Sequence, residues 1–241
     1  MRAFAALLLV AATTVACGGN IGLFRQYEYE EDMYLSLDGT ATLYVNTSIA
    51  ALDALRGASF DTSPDAATDR NAITAYFSTP VTHVRRVTTW RRAGRRFVGV
   101  RMDVDDVTRL REAKPFAWST YSFKRDGASD LFLYLQNLGA SANKDVGPVG
   151  WNGRELVAFR LHLPSKIEYH NAGAGNPKRG NILAWEQPLT DRLHGAPLML
   201  DARMHTQSIL YTALWLFGAT FFAVVILFAG VIVWIVRRGR Q

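Results

Sequence analysis

The sequence predicts an α+β fold, in which an antiparallel β-sheet carries two or three short helices on one face and is followed by one C-terminal transmembrane helix. Three observations lead to this prediction. Segments that alternate apolar and polar residues recur along most of the chain, as half-buried strands do. Short amphipathic stretches with capping residues interrupt these segments. Residues 209–236 carry no charged side chain.

The elements follow from local signals. The Asp38-Gly39 pair is a strong hairpin turn, and Ser48 and Gly57 are placed to cap the two ends of the first helix. Strands are predicted over residues 28–37, 40–46, 82–90, 96–104, 118–124, 131–138, 155–163, 166–169, 181–187 and 198–204. Helices are predicted over residues 49–56, 64 to about 77 and 105 to about 112. Surface loops are predicted over residues 139–153 and 171–180.

A layout of strand, turn, strand and helix occurs twice in this pattern. The second copy, residues 82–112, follows the first, residues 28–56, at an offset of about 55 residues. Few residues are identical between the copies. The likeness is therefore either a structural repeat or a chance match of patterns.

The uncharged segment near the C-terminus predicts a single transmembrane helix. Its 28 residues exceed the roughly 20 that a helix needs to cross a ~30 Å hydrocarbon layer. Trp215 and Trp234 are separated by about 28 Å of helix, which suits the two membrane interfaces. Arginines dominate residues 237–241, so the positive-inside rule predicts a cytoplasmic tail and an extracytoplasmic domain.

The N-terminal segment predicts export and a lipid anchor. Residues 1–16 have the single basic residue and the short apolar core of a signal peptide. The Thr-Val-Ala-Cys sequence that ends at Cys17 resembles a lipobox, and Cys17 is the only cysteine in the chain. Residues 17–208 are then an extracytoplasmic or periplasmic domain, lipidated at Cys17, on the bacterial cytoplasmic membrane. Ordinary cleavage after Ala16 is the alternative.

The net charge gives no support to a nucleic-acid partner. The chain has 27 Lys and Arg residues against 21 Asp and Glu, a formal charge of +6. Four arginines lie in the signal peptide and the cytoplasmic tail, which leaves 23 against 21 and a domain charge of +2. The high isoelectric point thus reflects membrane topology.

No pattern of catalytic or metal-ligating residues is present in the sequence. The five histidines are scattered and none has metal-ligand spacing. Asp103, Asp105 and Asp106 resemble a carboxylate cluster, but Asp105 is placed to cap the helix that follows. We therefore predict no enzymatic activity, no catalytic residue, no metal site and no cofactor.

One local feature predicts a ligand. Seven arginines and no acidic residue lie between positions 85 and 101. A hairpin over this segment places arginines at its tip beside a tryptophan, and arginine forks bind phosphate or carboxylate groups. The predicted ligand-binding residues are Trp90, Arg91, Arg92, Arg95 and Arg96. The alternative is a solvated edge hairpin whose charges prevent aggregation and pair with nearby aspartates.

The arrangement resembles the LppM-type bacterial lipoproteins. The resemblance rests on the lipobox, the first strand pair, the Gly-Asn-x-x-x-Trp-Glu stretch from Gly180 to Glu186, and the closing helix with its basic tail. It implies an antiparallel sheet with helices on one side, an envelope location and contact with lipids or glycolipids. It implies no catalytic residue. Trp185, in the shared stretch, is either a core residue or the floor of a ligand groove.

Two functions are consistent with these features. The first is a non-enzymatic envelope lipoprotein that binds lipid, glycolipid or another anionic envelope component. The second is a structural or assembly module that docks on a partner membrane protein. A concave apolar pocket favours the first, and a flat apolar patch with a polar rim favours the second.

Overall fold

A computed structural model of the chain describes residues 25–239. The predicted signal peptide, the predicted lipidation site at Cys17 and the last two residues of the tail lie outside the described residues. Within the described part, ten strands, several short helices and one long C-terminal helix are present. The predicted α+β fold is confirmed.

Six strands form a mixed sheet in the order β3-β4-β2-β1-β7-β9. All neighbouring strands are antiparallel except β1 and β7, which are parallel. Apolar and polar residues alternate in the same way in parallel and antiparallel strands, so the sequence did not reveal the parallel pair. The strands are β1 Tyr27–Leu35, β2 Ala41–Ser48, β3 Thr82–Arg92, β4 Arg95–Val104, β7 Leu156–His162 and β9 Ile182–Pro188.

The other four strands form a separate antiparallel sheet in the order β5-β6-β10-β8. The division into two sheets differs from the single sheet that the sequence predicted. The chain forms two sheets because each sheet buries its apolar face against the apolar face of the other. The strands are β5 Ser119–Asp126, β6 Leu131–Leu138, β8 Ser165–His170 and β10 Leu198–Ser208.

The first helix, α1 Ile49–Arg56, has the predicted caps. The Ser48 hydroxyl accepts a hydrogen bond from Ala51 N at 3.0 Å, and Gly57 ends the helix at φ 66°. Every residue of α1 is buried. Residues 139–154 form the predicted loop and cross this helix, where Ala142 N donates to Leu55 O at 3.0 Å.

Three other short helices differ from the prediction. Helix α2, Arg70–Phe77, begins six residues later than predicted, because Asp69 caps it. The third predicted helix is a 3₁₀ helix, Val107–Glu112, so the second copy of the internal layout ends differently from the first. Its cap is Asp106, whereas the predicted cap Asp105 lies 2.8 Å from His83. Helix α3, Leu189–Leu193, was not predicted.

The core lies between the two sheets. On the inner face of the six-stranded sheet, Tyr29 and Phe159 pack against the Trp118 ring, with centroid distances of 6.1 and 6.2 Å. Tyr134, on β6, packs against Met33 from the facing sheet. The opposite face of the six-stranded sheet is uncovered, and side chains such as Tyr34 are exposed there. We call it the outer face.

A buried ion pair joins these layers. The Arg56 guanidinium donates to the Glu31 carboxylate and to the Tyr29 hydroxyl, and all three side chains are buried. The same guanidinium lies 3.4 Å from the centroid of the Trp118 ring. Burial raises the pKa of Tyr29 well above its usual value, so the phenol stays protonated. One side chain of α1 thus binds both sheets.

The long helix, α4 Ile209–Arg238, follows β10 without a linker. Ser208 caps it by accepting a hydrogen bond from Leu210 N at 3.2 Å, and Ile209 N donates to Pro164 O at 3.0 Å. Of its 30 residues only Arg237 and Arg238 are charged, and no part of its most apolar stretch is buried. The helix is long and apolar enough to cross a membrane, as the sequence predicted, which supports membrane association.

Substitution of the buried carboxylate tests the ion pair. Glu31→Gln leaves the Arg56 charge buried without its carboxylate, so we expect the free energy of unfolding to fall by about 3–5 kcal/mol. The control is Glu112→Gln, which removes an exposed ion pair with Arg109. This substitution should change the free energy of unfolding by less than about 1 kcal/mol. Urea unfolding of the full chain in non-ionic detergent measures both. Equal effects of the two substitutions would contradict the role of the buried pair.

Candidate ligand-binding site

The arginine-rich segment forms the hairpin β3–β4 at one edge of the six-stranded sheet. A β-bulge interrupts the register between Val84 and Arg86. Because of the bulge, Arg85 is an extra residue, and Arg86 pairs directly with Arg101 on β4. From there, alternate residues of β3 face outward. The outward-facing positions of this strand are Arg86, Thr88, Trp90 and Arg92.

At the hairpin tip, Arg95 is buried rather than exposed. Its Nε and Nη2 donate to Glu28 Oε1 at 3.1 and 2.8 Å, and its Nη1 donates to Gly150 O at 2.9 Å. Glu28 is fully buried and also accepts from Trp151 Nε1 at 3.2 Å. The guanidinium is therefore neutralised inside the domain.

Arg96 is buried by a different loop. Its guanidinium donates to Ser63 O at 3.0 Å, and to the Asp61 carbonyl. It also donates to Ala67 O at 3.2 Å and to the Thr68 hydroxyl at 3.1 Å. The expectation that all four tip arginines are exposed is wrong for these two, because the loops before α2 and after β6 close over the start of β4. Their guanidinium groups are already hydrogen-bonded within the domain.

The other two tip arginines are exposed. Arg91 Nη1 lies 4.0 Å from Asp65 Oδ1, and both side chains are open to solvent. The Arg92 guanidinium lies 4.4 Å from the centroid of the Phe97 ring and donates to the carbonyl of Tyr27. Both keep a solvent-facing positive charge.

The outer face of the hairpin contains a depression of about 410 Å³. Its floor is Gly99, where a Cβ atom would lie 2.7 Å from Thr88 Oγ1 and 2.9 Å from Asn46 Oδ1. The ring of Trp90 lies 3.1 Å from the same point, so three side chains converge over the glycine. Trp90 is 37% exposed and stacks on Phe97. The lining residues are Tyr44, Asn46, Arg86, Thr88, Gly99, Val100 and Arg101.

Two exposed guanidinium groups border this depression. Arg86 and Arg101 occupy directly opposed positions, and neither side chain makes an ion pair or hydrogen bond with any residue in the described range 25–239. The nearby Asp103 carboxylate is paired with a different arginine, because Arg85 Nε donates to Asp103 Oδ2 at 2.7 Å. Arg86 and Arg101 are among the seven arginines of this segment but were not predicted to bind a ligand, because a bulge has no reliable sequence signal.

Trp185 lies on the inner face of β9, opposite Phe159, and is 5% exposed. Its Nε1 donates to Asn171 Oδ1 at 2.9 Å. One edge of the ring borders a shallow cleft of about 460 Å³ that also contains Arg25 and Glu186. Its burial favours core packing, the first of the two interpretations of this residue.

Three of the five histidines, His83, His162 and His205, lie beside acidic or aromatic side chains. His205 Nε2 lies 3.2 Å from Glu168 Oε2, and the His162 ring stacks on Tyr34 at 3.8 Å. Burial lowers the pKa of His162, with the nearby Asp32 opposing that shift. In residues 25–239, no group of three or more His, Cys, Asp or Glu side chains is arranged to hold a metal ion.

Comparison with known proteins gives one structural likeness. No family model and no curated protein matches the sequence. The fold is similar to the folded domain of LppM from Mycobacterium tuberculosis, determined by NMR, with 14% sequence identity and a TM-score of 0.40. The match covers 78% of this chain and 95% of that domain.

Replacement of Trp185 tests its place in the core. Trp185→Ala removes a buried ring, so we expect the free energy of unfolding to fall by about 3–5 kcal/mol. Met199→Ala, at a side chain that is 47% exposed, should change it by less than about 1 kcal/mol. Thermal or urea unfolding of both variants measures the difference. An unchanged stability with loss of lipid binding would instead make Trp185 part of a ligand groove.

Proposed function

We propose that this chain is a non-enzymatic, membrane-anchored envelope protein whose outer domain binds anionic lipid, glycolipid or another anionic envelope component. The observation that supports it is the cationic outer edge of the domain, where arginines remain exposed after two of the seven are buried. Exposed basic residues near a membrane each contribute about 1 kcal/mol toward anionic head groups. The exposed hairpin arginines are Arg85, Arg86, Arg91, Arg92 and Arg101.

The anchor in this proposal is α4. Because β10 runs directly into the helix and Ile209 N is bonded to Pro164 O, the domain has no flexible stem at this junction. The arginines that end the helix favour the cytoplasmic side of a bacterial membrane, which supports an extracytoplasmic domain. The domain is then held directly at the outer surface of the bilayer.

The hairpin tip and the helix junction occupy opposite ends of the six-stranded sheet. Pro164 follows the C-terminal end of β7, and the tip adjoins the first residue of β4, Arg95. β4 runs in the same direction as β1 and β7, so the start of β4 and the end of β7 lie at opposite ends of the sheet. The ten residues of β4 separate these two ends by about 30 Å. A ligand at the tip therefore need not belong to the leaflet that holds the helix.

Recruitment of charged vesicles tests this function. The full chain in nanodiscs of zwitterionic phosphatidylcholine should capture vesicles that contain phosphatidylglycerol, and capture should weaken as salt screens the exposed charges. Arg91→Gln combined with Arg92→Gln should lower the affinity by about tenfold to thirtyfold, since two exposed charges are lost. Flotation of the vesicles measures capture.

The matched control removes two exposed arginines from the 3₁₀ helix. Arg109→Gln combined with Arg111→Gln changes the net charge equally but should leave capture unchanged. Equal loss in both double variants would mean that net charge alone drives capture. Equal capture of neutral and anionic vesicles would refute an anionic ligand and favour docking on a partner protein.

A lipid on Cys17 would add a second anchor at the far end of the sheet. The eight residue steps from Cys17 to Arg25 reach at most about 28 Å, so the lipid would draw the start of β1 toward the bilayer. Cys17→Ser should abolish labelling by a fatty-acid analogue and leave the protein in the membrane fraction, because α4 suffices for retention. Release of this variant into the soluble fraction would contradict the role of α4.

A further inference from the structure

We infer that the depression over Gly99 on the outer face is a binding site for one phosphate group, held between the Arg86 and Arg101 guanidinium groups. This inference rests on the proposed function and deepens it, because it names the chemical group of the anionic ligand and the residues that bind it. The tip residues Arg91 and Arg92 are not part of this site.

The charge arrangement is the first argument. Like charges at directly opposed positions of neighbouring strands destabilise a sheet. Elsewhere on the outer face an arginine has acidic neighbours: Arg160 Nη1 lies 2.7 Å from Glu30 and 3.3 Å from Asp32. Arg86 and Arg101 face each other with no acid within ion-pair distance among the described residues. A bound anion supplies the missing negative charge.

The shape of the depression is the second argument. A Cβ atom at position 99 would lie within 3 Å of Thr88 Oγ1 and Asn46 Oδ1, so glycine lets these side chains close over the backbone and form the floor of the recess. The Asn46 amide makes no hydrogen bond with another described residue, which leaves it available to a ligand. The recess therefore combines two cations with an amide that has no partner within the domain.

These groups suit a phosphate better than a carboxylate. A carboxylate presents two oxygens and one charge, which a single guanidinium fork satisfies. A phosphate monoester carries about −1.5 to −2 charges and three acceptor oxygens, which match two guanidinium groups and an amide donor. The Trp90 and Tyr44 rings on either side give apolar walls for the carbon part of an ester. A lipid head group that ends in a phosphate monoester and free phosphate share this chemistry.

Binding of soluble phosphates to the full chain in maltoside detergent tests the site. We expect saturable binding of one inorganic phosphate or glycerol phosphate per chain, measured by equilibrium dialysis. Arg86→Gln and Arg101→Gln should each lower the affinity by about tenfold or more, since each removes charged hydrogen bonds. The ligand-free Arg86→Gln variant should unfold at no lower a temperature than the parent chain, because a like-charge contact is removed.

Two controls separate this site from general electrostatics. Arg85→Gln removes an arginine that is already paired with Asp103, and the double substitution at Arg109 and Arg111 removes two exposed charges outside the hairpin. Both variants should bind phosphate with unchanged affinity. Gly99→Ala, whose Cβ would displace Thr88 and Asn46 from the floor of the recess, should weaken binding while the parent arginines remain.

The outcomes distinguish this site from the proposed function. Tighter binding of glycerol phosphate than of inorganic phosphate supports the site with a lipid head group as ligand, and equal binding supports it with free phosphate. Phosphate binding without capture of anionic vesicles supports the site and refutes an anionic lipid as its ligand. No saturable binding, or binding that Arg86→Gln and Arg101→Gln leave unchanged, overturns the inference even where vesicles are captured.

Discussion

The buried ion pair between Glu31 and Arg56 is the interaction on which the arrangement of the domain depends. A buried charge costs several kcal/mol unless its partner is in place, so β1 and α1 must pack in one relative position. The guanidinium also lies against Trp118, at the start of the four-stranded sheet. The pair therefore fixes which face of the six-stranded sheet is covered and leaves the other face to solvent.

The distribution of arginines follows from this arrangement. Inside the domain, Arg56 and Arg95 each bind a buried carboxylate of β1, because an unpaired charge there is unfavourable. Burial and the charge of Arg56 lower the pKa of Arg192, which donates to the Gly139 carbonyl at 2.8 Å. On the uncovered face water solvates the charges, so exposed arginines remain where a ligand can reach them.

The junction between β10 and the long helix affects the direction in which the outer face presents these arginines to a ligand. A strand that enters a helix directly transmits the orientation of the helix to its sheet, since neither element bends freely. The capped start of α4 follows β10 directly, and the hydrogen bond from Ile209 N to Pro164 O ties the helix to the connection between β7 and β8, which belong to different sheets. The outer face of the domain therefore has a defined direction relative to the apolar helix.

The sequence by itself determined the elements whose causes are local. The Asp38-Gly39 turn, the caps of α1 and the apolar length of α4 depend on residues close together in the chain. Only the tertiary structure decided the parallel pairing of β1 with β7, the burial of two predicted ligand residues and the exposure of Arg86 opposite Arg101. Alternation assigns side chains to two faces of a strand. Which face is covered depends on segments far apart in the chain, and a single bulge reverses the assignment.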